Sequence, residues 1–535
     1  MRFFNTAGPV NCEKHYCLSP LERINLPDIL NLIAQEKYFV LHAPRQTGKT
    51  SALLALMEHL NRAGQYRALY ANIEGAQAAR EDVAAAMRAI VSEIASRARD
   101  FLNEPFLKAI AQQVLQENGP HAALGELLTR WAEHSAQPVI LLLDEVDALI
   151  GDTLISVLRQ LRAGYDKRPA HFPLTIILCG VRDVRDYRIR SSQSQEIITG
   201  GSAFNIKAVS LRLGDFTQPE VERLLLQHTA ETGQVFEPEA LATVWHLTQG
   251  QPWLVNALAY ETTFTMREGR DRSRPITAEM VQEAKENLIQ RRETHLDQLT
   301  DKLREPRVRR VIAPMLQGYE LERAVSEDDM RYVTDLGLIR PTAFGPQIAN
   351  PIYGEIIPRE LTFVTQLNFE STFQSAWYTR ADGRLDLSRL LTAFQQFFRE
   401  HSESWVERFD YKEAGPQLLL QAFLQRIVNG GGRVEREYGL GRKRTDLLVL
   451  WPTATPNAEG KTTVQRGVIE LKVLHKSLEA TLAEGLAQTW EYADRCGAEE
   501  AHLVIFDRTP AKPWEERIFR RDESCQGRPI TVWGM

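Results

Sequence analysis

The chain has 535 residues, of which 43% are hydrophobic and 25% are charged, the composition of an ordinary globular protein. This length excludes a single small domain and predicts about three or four domains. The 64 lysines and arginines are outnumbered by 70 aspartates and glutamates, which gives a formal net charge of −6. Overall charge therefore does not attract nucleic acid, and a DNA-binding surface would have to come from local basic clusters.

The cysteines and the amino terminus predict the cellular compartment. The cysteines are scattered, odd in number and without metal-ligand spacing, so we expect reduced thiols throughout. They are Cys12, Cys17, Cys179, Cys496 and Cys525. The amino terminus lacks the apolar core of a signal peptide, and no apolar run approaches the roughly 18 residues of a membrane span. We expect a cytoplasmic protein with no membrane partner.

A candidate phosphate-binding loop lies between the apolar run 38–41 and the helical stretch 51–60. In this context the backbone N–H groups at the start of the helix hold phosphate oxygens. The loop residues are Ala43, Pro44, Arg45, Gln46, Thr47, Gly48, Lys49 and Thr50. Gly48 lets the backbone approach the phosphates, Lys49 would reach the β- and γ-phosphates, and Thr50 would coordinate Mg²⁺. Although Ala43 replaces the usual first glycine, the segment predicts a site for ATP and Mg²⁺.

A second apolar run, residues 138–143, ends in Asp144 and Glu145. This is the pattern of a buried parallel strand. We expect Asp144 to complete the magnesium shell and Glu145 to act as the general base that activates the attacking water. Taken alone, the pair is equally consistent with a strand that ends in a solvated acidic turn. Its combination with the upstream loop favours a nucleotide site.

Strand-like and helical runs alternate through residues 1–215, with strands expected at 39–42, 67–73, 139–143, 174–180 and 208–211. The alternation predicts an α/β domain with a parallel sheet covered by helices. Residues 216–300 are helical throughout and would form a lid. Within the lid, Gly250-Gln251-Pro252-Trp253 resembles the Gly-x-Pro turn beside the nucleotide in origin-recognition and STAND-type ATPases of the AAA+ superfamily. The resemblance places Pro252 at the nucleotide, and a plain turn between two helices is the alternative.

Residues 301–360 predict a winged helix, with helices at 307–316 and 326–336 followed by two short strands near Ile339 and Gln347. Basic residues at its start could meet DNA phosphates. They are Lys302, Arg304, Arg307, Arg309 and Arg310. A solvated, charged face is the alternative, and the acidic run 327–329 supports it. Residues 361–412 form a polar helical connector.

A second candidate site lies in residues 413–535. Glu470 and Lys472 stand two positions apart on a predicted strand, residues 467–473, so they share one face of it. A buried carboxylate and a buried ammonium each cost several kcal/mol unless they are paired, bound to a metal or used in chemistry. Asp446 stands on the neighbouring strand. Asp446 and Glu470 offer hard oxygen ligands for a magnesium ion, and Lys472 adds a donor.

An aspartate followed by Glu-x-Lys resembles the signature of the PD-(D/E)XK nuclease superfamily. The resemblance implies that Asp446 and Glu470 bind Mg²⁺ or Mn²⁺ and that Lys472 positions or activates the attacking water. Thr445 replaces the usual proline before the first aspartate. Gln488, which shares a helix face with Glu484 and Tyr492, resembles an accessory motif of such nucleases.

Two further features around this site carry weaker signals. Glu413 resembles an early acidic residue of some members of the superfamily. Basic residues crowd beside Asp446 and would attract a phosphate backbone, although a surface basic loop is the simpler explanation. They are Arg433, Arg436, Arg442, Lys443 and Arg444.

As a whole, the chain resembles bacterial AAA-like ATPases that carry a PD-(D/E)XK nuclease-like domain at the carboxyl end. The resemblance implies a DNA partner and a role in defence against or processing of foreign or mobile DNA. It also implies a γ-phosphate sensor in residues 178–183. Since Cys179 is not the customary polar residue, we expect Arg182 to take the sensor role. We expect an ATPase that licenses a nuclease, with homo-oligomers and a protein trigger as open expectations. The alternative is a STAND-like switch whose nuclease fold binds DNA or a partner without cutting it. No phosphoacceptor motif supports a metabolic kinase.

Overall fold

The computed structural model describes residues 1–183, 188–190, 197–199, 207–291, 301–317, 325–342, 345–357, 378–380, 382–406, 415–429, 432–439, 444–456, 462–474, 477–507, 509 and 512–535. They form two compact units. The first unit comprises Met1–Leu288 and Asp335–Gly337, and the second comprises Ile289–Thr334 and Leu338–Met535. Among these residues, no helix is long and apolar enough to cross a membrane.

A five-stranded sheet, in which all neighbouring strands are parallel, forms the centre of the first unit. The strands of this unit are β1 (Phe3–Phe4), β2 (His15–Tyr16), β3 (Tyr38–His42), β4 (Arg67–Asn72), β5 (Val139–Asp144), β6 (Thr175–Gly180), β7 (Arg188–Arg190), β8 (Ile197–Thr199) and β9 (Lys207–Arg212). The central sheet has the order β4-β5-β6-β3-β9, while β1 pairs with β2 and β7 with β8. The predicted parallel sheet is confirmed.

Helices cover both faces of this sheet. They are α1 (Leu26–Ala34), α2 (Lys49–Ala63), α3 (Val83–Leu102), α4 (Phe106–Asn118), α5 (Ala123–His134) and α6 (Gly151–Ala163). Apolar side chains of α1 and α2 pack on one face, and those of α3 to α6 pack on the other. The sheet is apolar on both sides because parallel strands are buried on both faces. Polar residues are therefore concentrated at the strand ends, where the loops lie.

A run of helices follows the central sheet in the described residues 216–291, and its role as a lid stays a prediction. It consists of α7 (Gln218–Thr232), α8 (Pro238–Thr248), α9 (Pro252–Tyr260), a π-helical turn (Glu261–Thr265) and α10 (Ala278–Gln290). Helix α7 begins with a capping box between Thr217 and Glu220, and α7, α8 and α9 each carry proline in their first turn. Proline suits these positions because the first N–H groups of a helix have no intrahelical partner.

The second unit is built around an eight-stranded mixed sheet. Its strands are β10 (Ile339–Thr342), β11 (Gly345–Ile348), β12 (Arg433–Gly439), β13 (Arg444–Pro456), β14 (Thr462–Val473), β15 (Glu500–Phe506), β16 (Phe519–Cys525) and β17 (Arg528–Gly534). The order is β10-β11-β12-β13-β14-β15-β17-β16. The hairpin β10–β11 joins the sheet through Gln347, which pairs with Gly439 of β12.

The helices of the second unit are α11 (Pro306–Gln317), α12 (Glu327–Asp335), α13 (Leu387–Val406), α14 (Gly415–Asn429), α15 (Leu478–Cys496) and α16 (Trp514–Arg517). Residue Asp335, the last of α12, clusters with the first unit. Helix α15 packs on β14 and β15, and its Tyr492 and Ala493 join an apolar core with Val468 and Leu503. Both faces of β14 are buried over residues 467–473, the strand that the sequence predicted.

The expectation of five reduced thiols is wrong for Cys12 and Cys17, which form a disulfide. Asn11 accepts hydrogen bonds from the backbone N–H groups of Lys14 and His15, at 3.0 and 2.7 Å. This turn reverses the chain and brings the two cysteine Cα atoms to 5.5 Å, within the usual range for a disulfide. The other three cysteines are free thiols.

Candidate functional site

The loop that follows β3 has the geometry of a phosphate site. Gln46 and Gly48 have φ of 57° and 93°, and α2 begins directly after Gly48. Lys49 is buried, and its Nζ donates to the carbonyl oxygens of Ala43 and Pro44 at 3.0 and 2.9 Å. The ammonium is thus held over the loop at the positive end of α2, where anions bind most readily.

Asp144 ends β5 and is fully buried. Its Oδ2 accepts a hydrogen bond from Thr50 Oγ1 at 2.7 Å, and its Oδ1 accepts one from the backbone N–H of Glu145 at 3.0 Å. The structure therefore brings the two predicted magnesium ligands together, although β6 separates their strands in the sheet. A hydroxyl and a carboxylate are hard oxygen ligands that fit Mg²⁺, which takes its other ligands from phosphates and water.

Glu145 has a left-handed backbone with φ of 58°, a conformation that is uncommon outside glycine and marks a constrained position. Burial, followed by the negative charge of Asp147, raises the pKa of Glu145 to about 7. Asp147 Oδ1 also accepts a hydrogen bond from the backbone N–H of Val181 at 3.1 Å, just past β6. A carboxyl group with a pKa near neutrality is suited to general base catalysis.

A cleft borders the phosphate loop. Its volume is about 140 Å³, and it is partly open to solvent. The phosphate-loop side is lined by Gln46, Gly48 and Ser51, and the lid side by Pro252 and Trp253. Pro252 thus lines the same cleft as the loop, and its contact with a nucleotide stays a prediction. Gln251 caps α9, because its side-chain oxygen accepts a hydrogen bond from Leu254 N–H at 2.6 Å.

The amino-terminal segment forms a third wall of this cleft, which the sequence did not predict. Trp253 Nε1 donates to the carbonyl oxygen of Thr6 at 2.9 Å, and the Val10 N–H donates to Ser51 Oγ at 3.0 Å. The segment is therefore attached both to the lid and to the helix that follows the phosphate loop. Cys17 lines the same cleft, so the disulfide belongs to this wall.

The sensor segment lies at the end of β6. Cys179 is buried beside Asp144, and burial, followed by the charge of Asp144, raises the pKa of its thiol. Arg182 is also buried, and its Nε lies 3.6 Å from Asp335 Oδ2. A role for Arg182 in sensing the γ-phosphate stays a prediction.

In the second unit, Glu470 and Lys472 are both buried on β14. Lys472 Nζ lies 3.1 Å from Glu470 Oε1 and 3.9 Å from Glu484 Oε1 of α15. Gln488 Nε2 donates to Glu484 Oε1 at 3.5 Å. The predicted carboxylate, lysine and glutamine therefore lie in one connected polar group between β14 and α15.

Asp446 is the direct partner of Glu470 in the antiparallel register of β13 and β14. Its side chain, like those of Arg436 and Arg444, is outside the described part of the structure, and so are the residues Glu413, Arg442 and Lys443. Among the described side chains, no group of three or more metal-ligating residues occurs. Metal binding at the second site therefore stays a prediction.

Three of the five basic residues at and just before the start of α11 contact carboxylates. Arg307 contacts Asp328 and Asp329 at 2.5 and 2.8 Å, Arg310 contacts Asp329 at 2.8 Å, and Lys302 contacts Glu305 at 2.7 Å. These contacts favour the alternative of a charged surface over a DNA-binding one at this position.

Sequence reasoning missed Tyr70 and Asp147 as parts of the nucleotide site. Tyr70 lies on β4, and its hydroxyl donates to Asp144 Oδ2 at 3.0 Å. Since β4 and β5 pair in parallel with Asn72 opposite Asp144, the strand order would have revealed Tyr70, but the order is not legible from one sequence. Asp147 could have been found from the sequence, because it lies only two residues after the predicted general base Glu145.

This fold and site define a P-loop nucleoside triphosphatase. Residues 33–187 match the family model described as an AAA domain. The match supports an AAA-type ATPase, a class that uses ATP, usually with Mg²⁺. No curated protein sequence matches the chain.

Several solved structures are similar to part of the chain. A Walker-type ATPase of Pyrococcus abyssi is 15% identical and has a TM-score of 0.44, covering 66% of this chain and 99% of its own. Cdc6p of Pyrobaculum aerophilum is 16% identical with a TM-score of 0.37, covering 74% and 97%. The RuvB Holliday junction branch migration motor of Thermotoga maritima is 14% identical with a TM-score of 0.32, covering 63% and 94%. Likenesses of this degree carry no function over to this chain.

Proposed function

We propose that ATP binding and hydrolysis in the first unit control a metal-dependent DNA nuclease in the second, in defence against or processing of foreign DNA. The observation that carries the nuclease half is the buried Glu470–Lys472 pair on β14, with Asp446 directly opposite Glu470. A carboxylate and an ammonium in a sheet interior are costly, and catalysis is one reason to keep them.

In the first unit, Lys49 and the loop N–H groups bind the triphosphate, and Thr50 and Asp144 hold its magnesium ion. When bound there, the ion would supply positive charge that offsets the charge of the phosphates. Glu145 takes a proton from the water that attacks the γ-phosphate, and its raised pKa fits that role. Pro252 and Trp253 close the cleft from the lid side, so nucleotide occupancy can act on the lid.

In the second unit, residues opposite one another in an antiparallel ladder share a face of the sheet. Asp446 and Glu470 would then supply two hard oxygen ligands for Mg²⁺ or Mn²⁺. Such an ion would supply Lewis acidity and lower the pKa of a bound water. Lys472 donates to a phosphate oxygen of the DNA backbone, and Gln488 holds Glu484 beside Lys472.

A second candidate function is a nucleotide-controlled switch whose nuclease-like sheet binds DNA or a partner without cutting. The 3.1 Å contact between Lys472 and Glu470 favours it, because an ion pair offsets part of the cost of burying both charges. In this case the pair is structural and the ATPase is the only enzymatic activity.

The test is incubation of the full chain with labelled linear and circular DNA, with Mg²⁺ or Mn²⁺ and with or without ATP. The variants are Glu470→Gln, Lys472→Ala and Lys49→Ala. Lys512→Ala is the matched control, because Lys512 pairs with Asp507 at 2.6 Å in the same unit but is not part of the proposed site. Circular dichroism melts confirm that each variant is folded.

We expect cleavage by the wild type and by Lys512→Ala, no cleavage by Glu470→Gln or Lys472→Ala, and loss of any ATP dependence in Lys49→Ala. ATP hydrolysis should survive in the two second-unit variants. Absence of cleavage under every condition, with DNA still retained in a filter-binding assay, would establish the switch instead.

A further inference from the structure

Arg23 holds an unusual position beside the phosphate loop. It precedes α1, lines the cleft next to Gly48, and donates through Nη1 to the carbonyl oxygen of Thr47. A Cβ atom at Gly48 would lie 2.7 Å from Arg23 Nη1, so a side chain at this position would displace the guanidinium from the loop. Burial lowers the pKa of Arg23 to about 10, which still leaves it protonated at neutral pH.

The other end of the guanidinium reaches the junction between core and lid. Arg23 Nη2 donates to the carbonyl oxygen of Gly214 at 2.6 Å, and its Cζ stacks 4.6 Å from the centre of the Phe216 ring. These residues lie between β9 and α7. One planar group therefore contacts both the phosphate loop and the segment from which the lid begins. A lysine could not make both hydrogen bonds and the stacking contact at once.

The contacts continue from Phe216 into the lid. The N–H of Phe216 donates to the carbonyl oxygen of Gly250 at 2.8 Å, and Gly250 is followed by the cleft residues Pro252 and Trp253. A continuous path of hydrogen bonds and packing thus runs from Thr47 through Arg23, Phe216 and Gly250 to the lid wall of the cleft.

We propose that Arg23 is a positioning residue that couples occupancy of the phosphate loop to the core–lid junction. It acts on the lid through Gly214 and Phe216. When phosphates bind, a shift of the Thr47–Gly48 backbone is transmitted to the core–lid junction, because the same guanidinium is hydrogen-bonded to Thr47 and to Gly214. The inference rests on nucleotide binding at this loop, which the proposed function includes.

Arg168 provides a matched control. Its guanidinium also donates to backbone carbonyl oxygens, those of Tyr165 at 2.7 Å and Leu174 at 3.0 Å, and it stacks on the Tyr165 ring at 3.6 Å. It does not line the cleft. Arg168→Lys therefore removes the same kinds of contact without touching the proposed path.

The experiment is hydrogen–deuterium exchange on the full chain with and without saturating AMP-PNP and Mg²⁺. In the wild type and Arg168→Lys, the analogue should slow exchange at residues 44–51 and also at 214–217 and 250–254. In Arg23→Lys, residues 44–51 should still be protected, while protection of 214–217 and 250–254 is lost. AMP-PNP binding should weaken by about tenfold, the effect of one hydrogen bond with a charged partner.

The outcomes separate this inference from the site assignment. Lid protection in Arg23→Lys equal to the wild type overturns the coupling role. Loss of loop protection at saturation overturns it as well, because Arg23 would then belong to the phosphate site itself. Absence of AMP-PNP binding in the wild type would instead refute the nucleotide site. If Arg23→Lys does not fold, Phe216→Leu breaks the same path at its other end. In that variant AMP-PNP must still slow exchange at residues 44–51 but no longer at 214–217 and 250–254.

Discussion

Tyr70 donates to Asp144 Oδ2, the same carboxylate oxygen that accepts the hydrogen bond of Thr50. Burial, followed by the charge of Asp144, raises the pKa of Tyr70, so the hydroxyl remains a donor. Groups that orient a metal ligand typically change metal affinity by about 10- to 100-fold when removed. In Tyr70→Phe, we expect the Mg²⁺ concentration for half-maximal ATP hydrolysis to rise about tenfold, measured by magnesium titration at fixed free ATP.

The control for Tyr70→Phe is Tyr38→Phe. Tyr38 is also buried in the first unit, but its hydroxyl donates to the carbonyl oxygen of Pro173 at 3.1 Å. It should alter stability without altering the magnesium requirement. An unchanged magnesium requirement in Tyr70→Phe would contradict the assignment of Asp144 as a metal ligand.

Glu145 predicts the pH dependence of hydrolysis. A general base works in its ionised form, and the pKa of Glu145 is raised to about 7, first by burial and then by Asp147. The rate constant kcat/KM for ATP should therefore fall as the pH drops through about 7, since this constant reports the free enzyme. Glu145→Gln should still bind ATP but lose hydrolysis. A flat profile from pH 6 to 8 would count against Glu145.

Asp147→Asn tests the cause of that shift. Removing the negative charge beside Glu145 makes its ionisation easier, so the acidic limb of the profile should move to lower pH. The asparagine keeps an oxygen that can accept the hydrogen bond of Val181 N–H. A general structural defect would lower the rate at every pH and leave the midpoint in place, so the midpoint is the informative measurement.

The Glu470–Lys472 pair predicts a stability effect that does not depend on nuclease activity. Glu470→Ala removes the carboxylate that lies 3.1 Å from the buried Lys472 ammonium and should lower the free energy of unfolding by about 3–5 kcal/mol. The double variant Glu470→Leu with Lys472→Met removes both charges and should recover most of this loss. Urea titrations measure both. As a reference, Lys512→Ala breaks the more exposed pair with Asp507 and should cost about 1 kcal/mol or less.

Gly250 lies in the turn before α9, and its backbone conformation and close contacts predict that this turn is sensitive to substitution. It has φ of +81°, and a Cβ atom there would lie 1.9 Å from the carbonyl oxygen of Phe216. Gly250→Ala should cost at least about 2 kcal/mol of stability and weaken ATP binding. Gly233 is the control, because it has a similar φ of +78° but open space around it. Gly233→Ala therefore measures the cost of the backbone conformation without a steric contact, and it should lower the free energy of unfolding by only about 1 kcal/mol. Equal costs for the two variants would rule out the close contact.

Much of the first unit could be predicted because its signals are local. The loop 43–50 and the pair Asp144–Glu145 each follow an apolar strand, and parallel strands bring their carboxyl ends to one edge of the sheet. The contact between Thr50 and Asp144 follows from this rule. On β14, the two-residue spacing of Glu470 and Lys472 likewise predicts that their side chains share one face of the strand, and the two groups do meet there.

The unpredicted features depend on contacts between distant segments. Tyr70, Arg23 and Thr6 reach the site from β4, from the turn before α1 and from the amino terminus, and none has a motif of its own. The disulfide was missed because a tight turn at Asn11, and not the cysteine spacing, decides that Cys12 and Cys17 meet. The domain boundaries at 215, 300, 360 and 412 stay predictions.

Trp253 faces the cleft while its indole N–H is anchored to Thr6. Indole emission responds to the polarity around the ring, so a ligand that enters the cleft changes the light this side chain emits. The chain has nine tryptophans, and the difference between wild type and Trp253→Phe isolates the contribution of this one. The protein thus carries its own optical reporter of ligand entry, without a dye or a modified nucleotide.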